Sequence, residues 1–277
     1  MHIQLKDIVS KSILTPAKGA IDNFTHSLNP YMGCVFGCTY CYVRQLPLSL
    51  FREQEWGSWI DIKSNAAELL KKDMIKAKKK GPVTIFMSSS TDPYQPIEVK
   101  TELTRSLLEV MLEEQPDFLH IQTRSPLVKR DIDLFKKFGN KIRISMTIET
   151  DKEEVRKAFS PTALPIAARL AALKEITDTG IMTQATIASL LPCSRDFPKK
   201  LKHIAKRITI DDFWMGDGSG GKRTGKLGVE KIYQQMGLEK WYNPTAYKVV
   251  LRMIQEELQD SEVELMVSKS GFSPYQK

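Results

Sequence analysis

From residue 83 onward the chain alternates between short apolar runs and longer stretches whose apolar residues recur every three or four positions. Val83-Thr84-Ile85-Phe86-Met87, Phe118-Leu119-His120-Ile121-Gln122-Thr123, Ile142 to Ile148, Met182 to Leu190 and Ile208 to Trp214 are of the first kind. Such β-branched, near-continuous runs predict buried strands. Thr101 to Glu113 is of the second kind, with Leu103, Leu107, Leu108 and Met111 on one face. Val128 to Phe138 ends at Gly139-Asn140, Ala163 to Thr179 ends at Gly180, and Phe197 to Lys206 is a shorter helix. Ahead of these, Phe24 to Asn29 reads as a first strand. Trp59-Ile60-Asp61-Ile62-Lys63 alternates like an edge strand, and Asn65 caps a helix from Ala66 to Lys80 closed by Gly81-Pro82.

Strand alternating with helix five or six times predicts βα units, hence an α/β fold on a parallel sheet. The sheet either curls into a full or partial barrel or stays open and doubly wound. Both place ligands at the carboxyl ends of the strands, where Ser88-Ser89-Ser90-Thr91-Asp92, Thr123-Arg124-Ser125, Thr147 and Glu149 collect. From Gly216 the pattern changes. Gly216 to Gly225 reads as a flexible loop on the linker or substrate side. A helical patch at Glu230–Met236, a helix from Thr245 to Gln259 and a strand-like Val263–Val267 follow. This divides the chain into a lead-in (1–23), a core (24–215) and a C-terminal helical and mixed extension (216–277).

Composition changes this picture little. The 277 residues are 42% hydrophobic and 27% charged, ordinary for a globular chain with a real core. No apolar run reaches the roughly 18 residues of a membrane span, and the start lacks a signal core. We read the protein as cytoplasmic, with no membrane partner. The net charge of +8 admits a polyanionic partner such as nucleic acid. The densest basic run, Lys71 to Lys80, has the spacing of a solvated helix face.

The chemistry gathers in Asn29-Pro30-Tyr31-Met32-Gly33-Cys34-Val35-Phe36-Gly37-Cys38-Thr39-Tyr40-Cys41-Tyr42. Three thiols so close together in a reducing compartment point to a metal rather than to disulfides. Three thiolates on a glycine-bearing loop can hold three corners of a cubane iron–sulfur cluster and leave one iron open. Structural zinc wants a fourth ligand. Only Cys193 and four scattered histidines could supply it, none of them near in sequence. A ferredoxin-type electron carrier lacks its fourth cysteine for the same reason. The alternative reading is a basic nucleic-acid-binding protein with a structural metal.

The pattern Cys-x3-Cys-x2-Cys, with Tyr40 before the third cysteine and the loop following a first strand, resembles the radical S-adenosylmethionine (radical SAM) enzymes. Asn29-Pro30-Tyr31, Tyr40-Cys41-Tyr42 and Ser90-Thr91-Asp92-Pro93-Tyr94-Gln95-Pro96-Ile97-Glu98 are similar to the branch related to spore photoproduct lyase, a DNA repair enzyme. The resemblance runs from about Phe24 to Trp214. It implies a partial (β/α)6 TIM-like barrel, a [4Fe-4S] cluster on Cys34, Cys38 and Cys41, and SAM on the open iron. It further implies reductive cleavage of SAM to a 5′-deoxyadenosyl radical, and an electron donor such as flavodoxin or ferredoxin. By the same resemblance Tyr40 lies by the adenine, and Ser88 to Thr91, including Ser90, hold SAM's amino group. Arg124 faces its methionine carboxylate, Ser145 stands near the ribose, Ala188 touches the adenine, and Arg169 is the branch's helix arginine. Tyr42 completes the tyrosine pair around Cys41, a candidate catalytic residue with the cysteines.

The resemblance has one departure. Where spore photoproduct lyase carries the cysteine that returns a hydrogen atom to its product radical, this chain has Ser90. A serine O–H bond is too strong for that task, so the thymine-dimer reaction is not implied, and the substrate stays open with nucleic acid as first expectation. Cys193 reads as an inert core thiol. The run Gly216-x4-Gly221-Lys222 resembles a phosphate loop, but Arg223 stands where Ser or Thr must be. Asp211 and Asp212 fall on opposite faces of the expected sixth strand.

Overall fold

The computed structural model describes residues 3–274. Seven parallel strands make the core: β1 (His26–Leu28), β2 (Thr84–Met87), β3 (Phe118–Thr123), β4 (Ile142–Thr147), β5 (Met182–Ile187), β6 (Arg207–Ile210) and β7 (Glu264–Val267). They lie side by side in that order, and Leu14–Pro16 adds an antiparallel edge next to β1. The α/β expectation therefore holds, as a mostly parallel and curved rather than closed sheet. Among the described residues the two edge strands do not pair with each other. The turn after β7, Ser268–Phe272, crosses toward the N-terminal segment. There Asn23 donates to the Lys269 carbonyl and Lys269 pairs with Asp22.

The strands are built as the sequence pattern requires. One face carries Ile85, Leu119, Ile121, Ile144, Ala185 and Ile208, packed beneath helices that contribute Leu107, Met111, Leu134, Phe135, Leu173 and Ile176. Alternation turns Phe86, His120, Gln122, Ser145, Thr186 and Thr209 to the inner face. The inner face is thus polar near its top, which leaves room for ligands rather than for packing.

Several boundaries differ from the sequence reading. The helix expected from Thr101 begins at Leu103, because Glu102 adopts a left-handed conformation with φ 46°. Buried Glu98 explains the break: its carboxylate accepts the Thr104 N–H at 3.0 Å and pairs with Arg130 at 2.8 Å, which anchors the first turn. Trp59–Lys63 is the centre of a separate three-stranded sheet rather than an edge, between Gln4–Ile8 and Tyr31–Met32. The sixth strand stops at Ile210, and Phe213–Gly216 is a helical turn capped by Asp212. Among the described residues no helix is long and apolar enough to cross a membrane.

Candidate active site at the cysteine loop

The cysteine loop leaves Tyr31–Met32 through Gly33, at φ 80°. A Cβ at this position would run into the Trp59 carbonyl and sit 2.6 Å from the Trp59 ring. Only glycine meets both demands. Gly33→Ala is expected to cost about 1–3 kcal/mol through overpacking at a buried turn. A thermal unfolding midpoint equal to that of the unaltered protein would disprove the close fit.

Buried Gln95 holds the loop from below. Its Oε1 accepts the Val35 N–H at 2.8 Å, and its Nε2 donates to the Gly33 carbonyl at 3.1 Å. Thr162 donates to the Phe36 carbonyl at 2.6 Å, and Thr39 N donates to the Phe159 carbonyl at 2.9 Å. The loop is thereby fixed before any ligand arrives.

Cys34, Cys38 and Cys41 all line one cavity of about 620 Å³ above the carboxyl ends of the strands. All three are free thiols. Burial pushes the Cys34 thiol up and takes Cys41 to about 12, with the neighbouring Cys38 charge adding to both. Among the described residues no three His, Cys, Asp or Glu side chains stand close enough to share a single metal ion. A cubane does not ask for that, because each thiolate serves a different iron. The donor set therefore fits a three-thiolate cluster: soft ligands, unpaired, on one wall of a roomy cavity. Cys193 is buried in the main core and is not among the lining residues.

Opposite the thiols stands a buried charge network. Glu149, 1% exposed, pairs with Arg169 at 2.6 Å and with Arg124 at 2.5 Å, and accepts the Tyr40 hydroxyl at 2.7 Å. Burial alone would raise its carboxyl, but Arg169, Arg124 and Tyr40 outweigh that and hold it near 2. The Tyr40 phenol is pushed well up, first by burial and then by Glu149.

The residues carried over by resemblance separate into two groups. Tyr40, Tyr42, Ser90, Thr91, Arg124 and Ala188 line the cavity. Tyr42 donates to the Ser89 carbonyl at 3.0 Å, and Asn29 fixes the same turn by accepting the Ser90 N–H at 3.0 Å. Ser145 and Arg169 do not reach the lining. The Ser145 hydroxyl is engaged with Thr186 at 2.6 Å, and Thr186 is the one that faces the cavity. Arg169, fully buried, lies behind Glu149 and also donates to the Thr147 carbonyl at 2.9 Å.

Four residues were not singled out by sequence reasoning as site residues. Gln95 and Asp92 stand out in the sequence only as members of a motif. Asp92 accepts from the Tyr94 and Arg124 N–H groups and from the Thr123 hydroxyl, tying two strand ends together. Glu149 is marked in the sequence only by its place after a strand. Asp217 corrects the reading of the glycine loop as flexible. Its carboxylate accepts the N–H groups of Ser219, Gly221, Arg223 and Thr224, so the loop wraps around its own anion. Those N–H groups are the ones a phosphate would need. Gly216, Asp217, Gly218, Arg223 and Thr224 line the cavity, so the loop is a wall of the site.

Residues 28–192 match the family model described as the Radical SAM superfamily. An uncharacterized protein of Methanocaldococcus jannaschii is 35% identical over 190 residues, 69% of each chain. An uncharacterized protein of Acidianus two-tailed virus is 30% identical over 227 residues, covering 78% of this chain and 68% of that one. Spore photoproduct lyase complexed with dinucleoside spore photoproduct superposes with a TM-score of 0.65 at 15% identity, over 95% of this chain and 81% of that chain. At that identity the likeness shows the fold.

Proposed function

This chain belongs to the radical SAM superfamily, and we propose that it is an enzyme that cleaves SAM reductively at a [4Fe-4S] cluster held by Cys34, Cys38 and Cys41. The observation that carries the reading is three free thiols lining the same cavity as Tyr40, Arg124, Thr186 and Ala188. When bound, cluster and SAM together supply a 5′-deoxyadenosyl radical for abstracting hydrogen from a substrate.

The chain's own residues bind, orient and exclude water. Gln95 and Thr162 fix the ligand loop. Glu149 sets the direction of Tyr40 and Arg124, and Arg169 holds Glu149 from behind. Arg124, 16% exposed, keeps a cation at the cavity wall for SAM's carboxylate. The Ser89 to Thr91 turn, held by Asn29 and Tyr42, offers oxygens to SAM's amino group. Ala188 offers a small apolar contact to the adenine, while Ser145 acts on the ribose side through Thr186. The substrate class we favour is nucleic acid, given the net charge of +8 and the cations Lys18 and Arg223 in the lining. Ser90 supports no hydrogen-atom return of the kind a cysteine gives. The electron comes from a flavodoxin- or ferredoxin-like donor, and the unpaired thiols fit a reducing, cytoplasmic setting.

Anaerobic reconstitution with iron and sulfide, reduction and addition of SAM test the reading by chromatography of 5′-deoxyadenosine. Appearance of 5′-deoxyadenosine with methionine is the expected result. A cluster that forms and reduces, yet yields none with or without cell extract, overturns it.

A further inference from the structure

Three carboxylates line the cavity, and two of them are spent. Asp92 holds two strand ends, and Asp217 holds its own loop. Asp211, 4% exposed at the end of the sixth strand, is different. Its Oδ1 accepts the Asp212 N–H at 2.9 Å, and no cation pairs with it among the described residues. Gly216 packs against its Oδ2, so tightly that a Cβ there would lie 2.7 Å away. Only a residue without a side chain fits this close to the carboxylate, which the Ser268 hydroxyl also reaches. Thr224 lies in the loop that follows and also lines the cavity. It is 1% exposed, and its Oγ1 has no hydrogen-bond partner among the described residues. A buried hydroxyl without a partner is costly and points to a group that arrives from outside.

We propose that Asp211 and Thr224 form the substrate-recognition subsite of the cavity, which takes a neutral, planar group carrying an N–H beside a carbonyl. Asp211 accepts from the N–H, and Thr224 donates to the carbonyl. No cation among the described residues pairs with Asp211, so at this position a neutral N–H donor is favoured over an anion, while Arg223 lines the cavity next to Thr224. Tyr42, Phe86 and Phe272 in the same lining supply apolar surface for a flat ring. This deepens the function proposed above and rests on it.

A pH dependence follows. Burial pushes the Asp211 carboxyl up to about 7, against the hydrogen bond from the Asp212 N–H, and the Asp212 charge pushes it the same way as burial. The Ser268 hydroxyl supports the ionised form, and Tyr42 faces the pair of Asp211 and Asp217 from the cysteine loop. Only the ionised carboxylate is a pure acceptor, so binding of an N–H donor tightens as pH rises through about 7.

The test is anaerobic titration calorimetry of the reconstituted, SAM-loaded enzyme with uridine and with 3-methyluridine, which lacks the N–H. The unaltered enzyme is expected to bind uridine about tenfold or more tightly than 3-methyluridine. Asp211→Asn removes that preference, and Thr224→Val weakens uridine severalfold. The methylated probe needs no variant, so a variant that fails to fold does not decide the matter. Equal binding of the two probes by the unaltered enzyme, or no binding of either, overturns the proposal. So does tighter binding of N-acetylglycinamide, an amide without a ring. The 5′-deoxyadenosine yield of the same unaltered preparation reports separately on the proposed function.

Discussion

Cys38→Ala is expected to abolish 5′-deoxyadenosine formation and to leave the protein without a stable cluster. Cys38 is the middle ligand of the proposed site, 5% exposed on the cavity wall between Cys34 and Cys41. Two thiolates cannot replace three around a cubane whose fourth iron must stay open. The change itself is mild for the fold: a small buried side chain becomes a slightly smaller one, at a cost on the order of 1 kcal/mol. Loss of iron, sulfide and visible charge-transfer absorption with retained circular dichroism therefore separates loss of the cluster from unfolding. Cys193→Ala is the matched control. That thiol is equally buried, 6% exposed, but belongs to the main core, and burial holds it up at about 12. It is expected to retain iron, sulfide and activity. Full cluster content in Cys38→Ala, or its loss in Cys193→Ala, would refute the assignment of the three-cysteine set.

The sequence carried the βα alternation because most core strands are β-branched runs with an apolar residue at every second position or more often, and such runs separated by amphipathic helices have few places to go except a buried parallel sheet. It carried the cysteine loop because three thiols in eight residues are informative without any knowledge of the fold. It did not carry Glu149. A single carboxylate after a strand looks the same whether it is solvated or locked between two arginines, and Arg124 and Arg169 come from separate βα units. The glycine loop misled for a related reason. Five glycines within 216–225, with serine and aspartate among them, carry the composition of a flexible segment. The folded loop is instead ordered by one side chain, Asp217, whose four N–H partners become visible only once the chain has closed around it. Strand alternation does not govern where Asp211 points, because the strand ends one residue earlier.

Glu149→Gln carries the second large effect, on stability and on the geometry of the site together. The amide can still accept the Tyr40 hydroxyl, so that hydrogen bond survives. The charge does not survive, and Arg169 is left cationic in full burial. Its Nε and Nη2 have no partner among the described residues, and its remaining bond is to the Thr147 carbonyl. An uncompensated buried charge costs about 3–5 kcal/mol, which for a chain of this size lowers the melting temperature by on the order of 10 °C. Arg169→Met added to Glu149→Gln removes the stranded charge and is expected to recover part of the loss. Simple additivity of the two changes would show that the pair does not interact. The pH dependence has a definite sign. The carboxyl is lowered in the folded protein from 4.5 to about 2, so its contribution is complete above about 4.5 and is lost as pH falls toward about 2. The stability difference between the unaltered protein and Glu149→Gln should therefore be largest near neutral pH and shrink across that acid window. Because Tyr40 and Arg124 both take their direction from this carboxylate, SAM affinity should fall in the variant even where the fold is intact, and it should fall more than iron content does.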